Sequence, residues 1–184
     1  MFRFLSIFFI LLFSNPSHSS IKEKIINKIE QTRNLSFNFI QTIAEKNEKG
    51  NCIIKYSKKI YCEYDNVDEK IIISNGRSLV IKNKSNTQYH IYPLKKTPLE
   101  FLLDKDYLIS KIKISKSKNI DNKYLAFKII ENNNEINIFF DRKTFNLIGW
   151  QTEDLYQNLT ITFISSIRIN QEINDNIFVL PKKE

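Results

Sequence analysis

Two periodicities divide the chain. From Ile21 to Asn34 (IKEKIINKIEQTRN) the residues Ile21, Ile25, Ile26 and Ile29 fall on one face at helical spacing, with Lys and Glu opposite. That spacing predicts an amphipathic helix over the whole stretch. From Leu35 the period becomes two: Leu35, Phe37 and Phe39 alternate with Ser36 and Asn38, which is strand patterning. Strands are likewise predicted over Gly50–Tyr56 and Ile60–Tyr64, around Ser57-Lys58-Lys59, and over Ile71–Ser74 and Leu79–Lys82. Asn75-Gly76 between the last two is a hairpin signal. Further strands are expected at Thr87–Tyr92, Ile109–Ser115, Tyr124–Ile130, Ile136–Phe140, Leu147–Thr152 and Leu159–Ser165, with a short last one near Phe178–Leu180. About ten or eleven strands with closely spaced turns make an antiparallel sheet or barrel. The chain has only 3 glycines, so asparagine-rich turns such as Asn132-Asn133-Asn134 are expected to supply left-handed backbone.

One stretch breaks the strand pattern. In YPLKKTPLEFLL (Tyr92 to Leu103), Pro98 suits the first residue of a short helix, because its missing N–H is unpaired there anyway. The helix would carry Leu99, Phe101, Leu102 and Leu103, an unusually apolar set for five or six residues. Asp104-Lys105-Asp106 reads as the helix end and a turn.

The N-terminus stands apart from this folded pattern. Met1 to Phe13 (MFRFLSIFFILLF) sets Arg3 ahead of an apolar run, and Asn15 to Ser20 (NPSHSS) follows with small residues at Ser17 and Ser19. This is the layout of a secretory signal peptide, expected to span 1–19. The run is shorter than the ~20 residues of a membrane span, and no cysteine follows it to take a lipid. Residues 20–184 then form one exported, periplasmic domain. The net charge of the full 184 residues is +8; losing Arg3 leaves about +7. Nearly all the basic residues are lysines scattered along the chain, which argues against nucleic-acid binding.

Candidate chemistry is sparse. His90 is the only histidine past the leader and lies in a strand without an evident partner. Asp65, Asp68, Asp104, Asp106, Asp121 and Asp141 are scattered in turns, and Gly76 and Gly149 are isolated, so neither a metal site nor a phosphate loop is indicated. The expectation is a protein without catalytic residues, metal or cofactor. Cys52 and Cys62 are the only cysteines, and export permits a disulfide between them. What the chain does have is apolar surface. Phe37, Phe39, Ile54, Ile60, Tyr64, Leu125, Phe127, Ile129, Ile136, Ile138, Phe140, Leu159, Ile161 and Phe163 alternate with polar residues. Such a face must be covered. Either it is a packed core, or helices that can lift cover a space for an apolar ligand.

Five segments, in order, resemble the outer-membrane lipoprotein carrier family, the LolA-like periplasmic proteins: FNFIQT (Phe37 to Thr42), KIYCEYD (Lys59 to Asp65), IIISNGRSLVI (Ile71 to Ile81), YPLKKTPLEFLL, and LTITFISSIRINQEINDNIFVLP (Leu159 to Pro181). The resemblance implies an α+β, mainly antiparallel β fold: a wide incomplete β-barrel with helices plugging the mouth of a hydrophobic cavity. It implies a monomer without enzymatic activity. Such a carrier shields lipoprotein acyl chains between an inner-membrane ABC-type release complex and an outer-membrane receptor. The resemblance makes Pro98, Leu99, Phe101, Leu102 and Leu103 a lid. It directs Phe37, Phe39, Ile54, Ile60, Cys62, Tyr64, Phe127, Ile138 and Phe140 to the cavity. The family's lid-holding arginine aligns with Tyr56, whose phenol donates one hydrogen bond where arginine donates several; the latch is either weaker here or built differently. The alignment also sets Cys52 opposite Cys62 and Ile54 opposite Ile60 in a hairpin centred on Ser57-Lys58, where a cross-strand disulfide and two buried thiols both fit. Rival readings are another periplasmic acyl-chain binding or sensing module, a cargo receptor, a small secreted hydrolase with a carboxylate pair in a polar cleft, and a sheet protein with a filled core. Lys95 and Lys96, beside the lid, read as a solvated edge.

Overall fold

The computed structural model describes residues 20–66, 69–85, 88–131, 134–154 and 157–181. The expected signal peptide, 1–19, lies outside them, as do Asp68, Thr87 and the Asn132-Asn133 part of the expected turn. Helix α1 (Ile21–Gln31) opens the domain. Strands β1 (Asn34–Ile43), β2 (Lys46–Lys55), β3 (Lys59–Tyr64), β4 (Lys70–Asn75), β5 (Ser78–Asn83) and β6 (Tyr89–Pro93) follow as hairpins. A 3-10 turn at Leu94–Lys96 leads to α2 (Leu99–Leu103) and α3 (Lys105–Ile114), then β7 (Ser117–Ile120), β8 (Tyr124–Glu131), β9 (Asn134–Asp141), β10 (Leu147–Glu153) and β11 (Leu159–Ile169).

All the strands join one antiparallel sheet of 11 strands, in the order β6-β5-β4-β3-β2-β1-β11-β10-β9-β8-β7. The sheet stays open, with β6 and β7 as its edges. Both edges are poor templates for a further strand: β6 ends at Pro93, and β7 is short and polar. The open, curled sheet with helices on its inner face is the expected incomplete barrel.

Each helix has local causes. Ser20 caps α1: its Oγ accepts from the Glu23 amide (3.2 Å) and its own amide donates to Glu23 Oε2 (2.7 Å). The helix stops at Gln31 rather than running to Asn34, because Thr32 is already extended and Asn34 begins β1. Ile25, Ile26 and Ile29 are its buried face. The α1 and α3 ends hold one another. Lys22 Nζ donates to the carbonyls of Lys113 (3.2 Å) and Ser115 (2.7 Å) at the end of α3. Lys105 Nζ donates to the carbonyls of Glu30 (3.0 Å) and Thr32 (2.9 Å) at the end of α1. Each lysine thus satisfies carbonyls that a helix terminus leaves unpaired.

The structure differs from the sequence expectations at several places. Residues 109–114 are not a strand but the second half of α3, and Ser115 follows as its extended cap residue. Asp104 Oδ1 accepts from the Tyr107 amide (3.0 Å) and so caps the helix, and Leu108, Ile109 and Ile112 are its buried stripe. The alternation of Ile112 and Ile114 with lysine imitated a strand, yet Ile114 is 78% exposed. The final segment is a 3-10 turn over Asp175–Phe178 rather than a strand over Phe178–Leu180: Asn174 caps it, and Phe178 is buried. Strand β7 was unanticipated, since SKNI has one apolar residue. In β11 the large residues point outward: Phe163 is 51% exposed, whereas Thr160, Thr162 and Ile164 are buried. The pairing of Phe163 with exposed Ile40 and of Thr162 with Gln41 fixes that choice of faces. Phe163 is accommodated outside by stacking on Phe139, centroids 6.0 Å apart, over Gly149. A Cβ on Gly149 would collide with the Thr162 carbonyl oxygen and lie 3.2 Å from the Phe163 ring. Left-handed backbone falls on Ala44, Glu45, Lys58, Glu69, Phe145 and others as well as on Asn122 and Asn170, so asparagine is not its main source among the described residues.

Candidate functional site

The inner face of the sheet meets its cover in two ways. Under α1 and α3 it is solid: Phe127, Ile136, Ile138 and Phe140 interlock with Ile25, Leu108 and Ile112, all fully buried. Phe127 and Phe140 meet edge to face with centroids 5.8 Å apart. Over β3 to β6 the same face borders a cavity of about 330 Å³. Side chains from β6 (Tyr92) and β10 (Trp150) line it together, although those strands are far apart in the sheet order. Only a strongly curled sheet brings them to one hollow.

The wall is mostly apolar: Phe39, Ile60, Tyr64, Ile72, Leu79, Ile81, Tyr92, Trp150 and the Cys52–Cys62 disulfide. Phe39 and Tyr64 pack edge to face at 4.8 Å above Gly50. A Cβ there would collide with the Glu63 carbonyl oxygen and come within 2.8 Å of the Phe39 ring. The glycine lets the wall sink at that point. Cys52 does stand opposite Cys62, and Ile54 opposite Ile60.

The residues expected at the cavity therefore separate. Phe39, Ile60, Cys62 and Tyr64 line the hollow. Phe37 and Ile54 belong to the packed core, as do Phe127, Ile138 and Phe140. Phe37 reaches the boundary, its ring edge-on to Trp150 at 6.2 Å.

Helix α2 closes one end. It begins at Leu99, with Pro98 just before it in helical conformation. Thr97, Pro98 and Leu99 face the hollow; Leu102 and Leu103 are buried beneath the helix. Phe101 instead packs on Tyr107 of α3, centroids 5.1 Å apart, and the Tyr107 hydroxyl donates to Glu131 Oε2 (2.8 Å).

What holds α2 down is Lys58, at the tip of the β2–β3 hairpin. Its amide donates to the Leu103 carbonyl (3.0 Å). Its Nζ reaches Glu100 Oε1 (2.5 Å) and Asp104 Oδ2 (3.0 Å). Its own carbonyl accepts from the buried Ser74 hydroxyl (3.0 Å), which anchors the tip to β4. The hydrogen bond to Glu100 and then that to Asp104 raise the Lys58 ammonium pKa. Burial works against the Asp104 carboxylate, but the Tyr107 amide and Lys58 together hold it below the usual carboxylate range. Tyr56, aligned with the family's latch, takes no such part. Its amide donates to the Arg33 carbonyl (3.0 Å), its ring lies 5.5 Å from Lys105 Nζ, and burial pushes its phenol up to about 12. Lys58 was legible only as a turn residue, because its role depends on where α2 lands.

The opposite end of the hollow is a polar mouth. Tyr64 Oη donates to Gln41 Oε1 (3.0 Å), and Gln41 Nε2 donates to Thr162 Oγ1 (3.0 Å). Lys70 Nζ pairs with Glu48 (2.6 Å) and lies 3.8 Å from the centre of the Tyr64 ring. Glu153, Asp154 and His90 complete the rim, and His90 is exposed there. Lys95 and Lys96 are exposed. No group of three His, Cys, Asp or Glu among the described residues stands close enough to hold a metal ion. The arrangement suits holding an apolar chain between a hydrocarbon wall and a short helix, with polar groups at one mouth.

A family model described as "Outer membrane lipoprotein carrier protein LolA" matches residues 30–181. No curated protein matches the sequence. Among solved structures, an uncharacterized conserved protein from Thermus thermophilus is similar with a TM-score of 0.53 at 6% identity, over 89% of this chain and 96% of that one. A LolA superfamily protein from Nitrosomonas europaea gives 0.46 at 10% identity, over 88% and 99%. The MucA/MucB complex of Pseudomonas aeruginosa gives 0.47 at 9%, over 88% of this chain and 62% of that one.

Proposed function

The chain belongs to the LolA family of outer membrane lipoprotein carriers, and from that premise we propose that it is a periplasmic carrier that shields the acyl chains of lipoproteins between the inner and outer membranes. The observation that carries this reading is the cavity of about 330 Å³, walled by apolar side chains and closed by a helix that one lysine holds in place. Each methylene taken out of water is worth ~0.8 kcal/mol, so lipid chains do not cross an aqueous compartment unshielded. A carrier must also release them. Leu99 faces the hollow when it is empty; a chain that displaces α2 exchanges one apolar contact for another, and the net affinity stays moderate.

The closed cavity is at the lower end of the ~300–1,000 Å³ that ligand pockets occupy. It accommodates roughly one acyl chain, at about a water's volume of ~30 Å³ per methylene. A cargo with several chains requires α2 to move. On this reading the release partner is an inner-membrane ABC-type complex and the acceptor an outer-membrane receptor. The protein acts without chemistry of its own, as an exported monomer over 20–184.

Titration with a fluorescent fatty acid tests the reading. Saturable binding is expected, weakened at least tenfold by Leu99→Asp with the circular dichroism unchanged. A wild-type protein that binds no fatty acid and brings no acylated lipoprotein with it from cell envelopes would overturn it.

A further inference from the structure

The Cys52–Cys62 disulfide sits in an unusual place for a bond that only staples a hairpin. It lies in the wall of the cavity, beside Phe39, Ile60 and Tyr64. Both cysteines are on the inner face of the sheet, 5% and 4% exposed. Their neighbours across the adjoining strands are Phe37 on β1 and Ile72 on β4, so flanking strands close the approach from either side. Along the strands, the residues that point outward are Asn51 and Ile53 on β2 and Tyr61 and Glu63 on β3. The sulfurs are therefore reached from the cavity and not from the outer face. The hollow is about 330 Å³, room enough for a small dithiol, and His90 and Glu153 at its polar rim are exposed to solvent.

We propose that Cys52–Cys62 is a redox site that small dithiols reach through the cavity and that bound hydrocarbon shields, so that the empty protein is reducible and the loaded one is protected. The inference rests on the reading of the hollow as an acyl-chain site. A thiolate of the dithiol attacks one cystine sulfur, the Cys52–Cys62 bond breaks, and the departing cysteine thiolate takes a proton. The second thiol of the reagent then displaces the first cysteine from the mixed disulfide. The protein gains two cysteine thiols, two electrons and two protons in all, and the dithiol leaves as its cyclic disulfide. The rate depends on access to the sulfur, and an acyl chain along Ile60 and Tyr64 occupies that access. The bond also braces the hairpin whose tip, Lys58, holds α2, so reduction loosens the lid of a carrier that has no cargo.

The experiment follows reduction of the full exported chain by dithiothreitol, with and without saturating dodecanoate, trapping new thiols by alkylation and reading them by mass. Dodecanoate occupancy is measured in parallel by displacement of the fluorescent fatty acid. Bound dodecanoate is expected to slow reduction at least tenfold. Leu99→Trp, which fills part of the hollow with protein, is expected to slow reduction severalfold with no ligand present. Dodecanoate that binds yet leaves the rate unchanged overturns the redox inference alone. Dodecanoate that does not bind overturns the acyl-site reading, and the shielding with it. An unaltered rate in a folded Leu99→Trp protein shows that the sulfurs are reached by another route and overturns the inference independently of any ligand.

Discussion

Strands β8 and β9 and strands β3 to β6 carry the same kind of inner face, rich in Ile, Leu and aromatic residues, yet one is filled and the other hollow. The difference lies in the cover. Helices α1 and α3 span eleven and ten residues and present Ile25, Ile26, Ile29, Leu108, Ile109 and Ile112 inward. Lys22 and Lys105 tie them end to end. Helix α2 has five residues and too few side chains to fill the space beneath it. Its closure depends on the Lys58 contacts and on Phe101 lying against Tyr107. A densely packed half thus adjoins a sparsely covered half on one continuous sheet, and on the carrier reading that asymmetry keeps the fold together when α2 lifts.

The largest expected effect breaks the filled side. Phe127→Ala should cost about 3–5 kcal/mol, read from the urea midpoint at unchanged slope, because its neighbours cannot close around the void. The matched change on the hollow side, Leu99→Ala, should cost under about 1 kcal/mol, since Leu99 already borders empty space. Equal losses at the two positions would end the distinction between the halves. Gly50→Ala comes next, at about 1–3 kcal/mol. The added methyl meets the Glu63 carbonyl and the Phe39 ring, so fatty-acid affinity should fall along with stability.

The filled half and the hollow half were not equally legible in sequence. Most strands and the α2 helix follow from period two and from Pro98, and the Cys52–Cys62 register from the family resemblance, which centres a hairpin on Ser57-Lys58. What misled was the same alternation used for two purposes. Ile112 and Ile114 alternate with lysine inside a helix, because Asp104 starts α3 and Ile114 is left in solvent. In β11 the stretch Leu159 to Phe163 puts its larger residues outside, because pairing with β1 decides which face is inner. Periodicity names two faces without saying which is buried. Nor could it divide the greasy positions between core and cavity: Phe127 and Ile60 look alike until the lengths of the covering helices are known. Lys58 escaped notice for a related reason, since its partners Glu100 and Asp104 are far away along the chain.

The latch sharpens the contrast at smaller energies. Lys58→Met should cost about 1 kcal/mol of global stability, because the ammonium is partly exposed and its pairs are screened. It should nonetheless speed hydrogen exchange of the Leu102 and Leu103 amides several-fold while α1 amides keep their protection. The same contacts set a pH window. The Asp104 pKa is lowered on folding, so its share is present above its ordinary value of 3.8 and is lost as pH falls through the folded value. The Lys58 pKa is raised, so its share is complete below 10.5 and is lost as pH rises through the folded value. The protection factors of the α2 amides, with the intrinsic pH dependence of exchange divided out, should therefore be flat between those limits and fall outside them. In Lys58→Met the alkaline fall should vanish; if it persists, another group holds α2 at high pH.

The smallest effect asks whether the hollow half yields because of its cavity or because of its turns. The β1–β2 turn is the two-residue loop Ala44-Glu45, with φ of 44° and 68°, a left-handed pair that favours Asn-Gly and strains residues that carry an ordinary Cβ, as both of these do. It lies at the polar mouth, next to Ile43 on the cavity wall. The double change Ala44→Asn with Glu45→Gly should stabilise the protein by about 1 kcal/mol in urea titration, by relieving backbone strain alone. Fatty-acid affinity and lid exchange should stay as they were, because neither the hollow nor Lys58 is touched. A change in affinity that tracks the gain in stability would move the source of softness from the unfilled space under α2 to the strained rim, and the difference between the halves would then be one of turns rather than of packing.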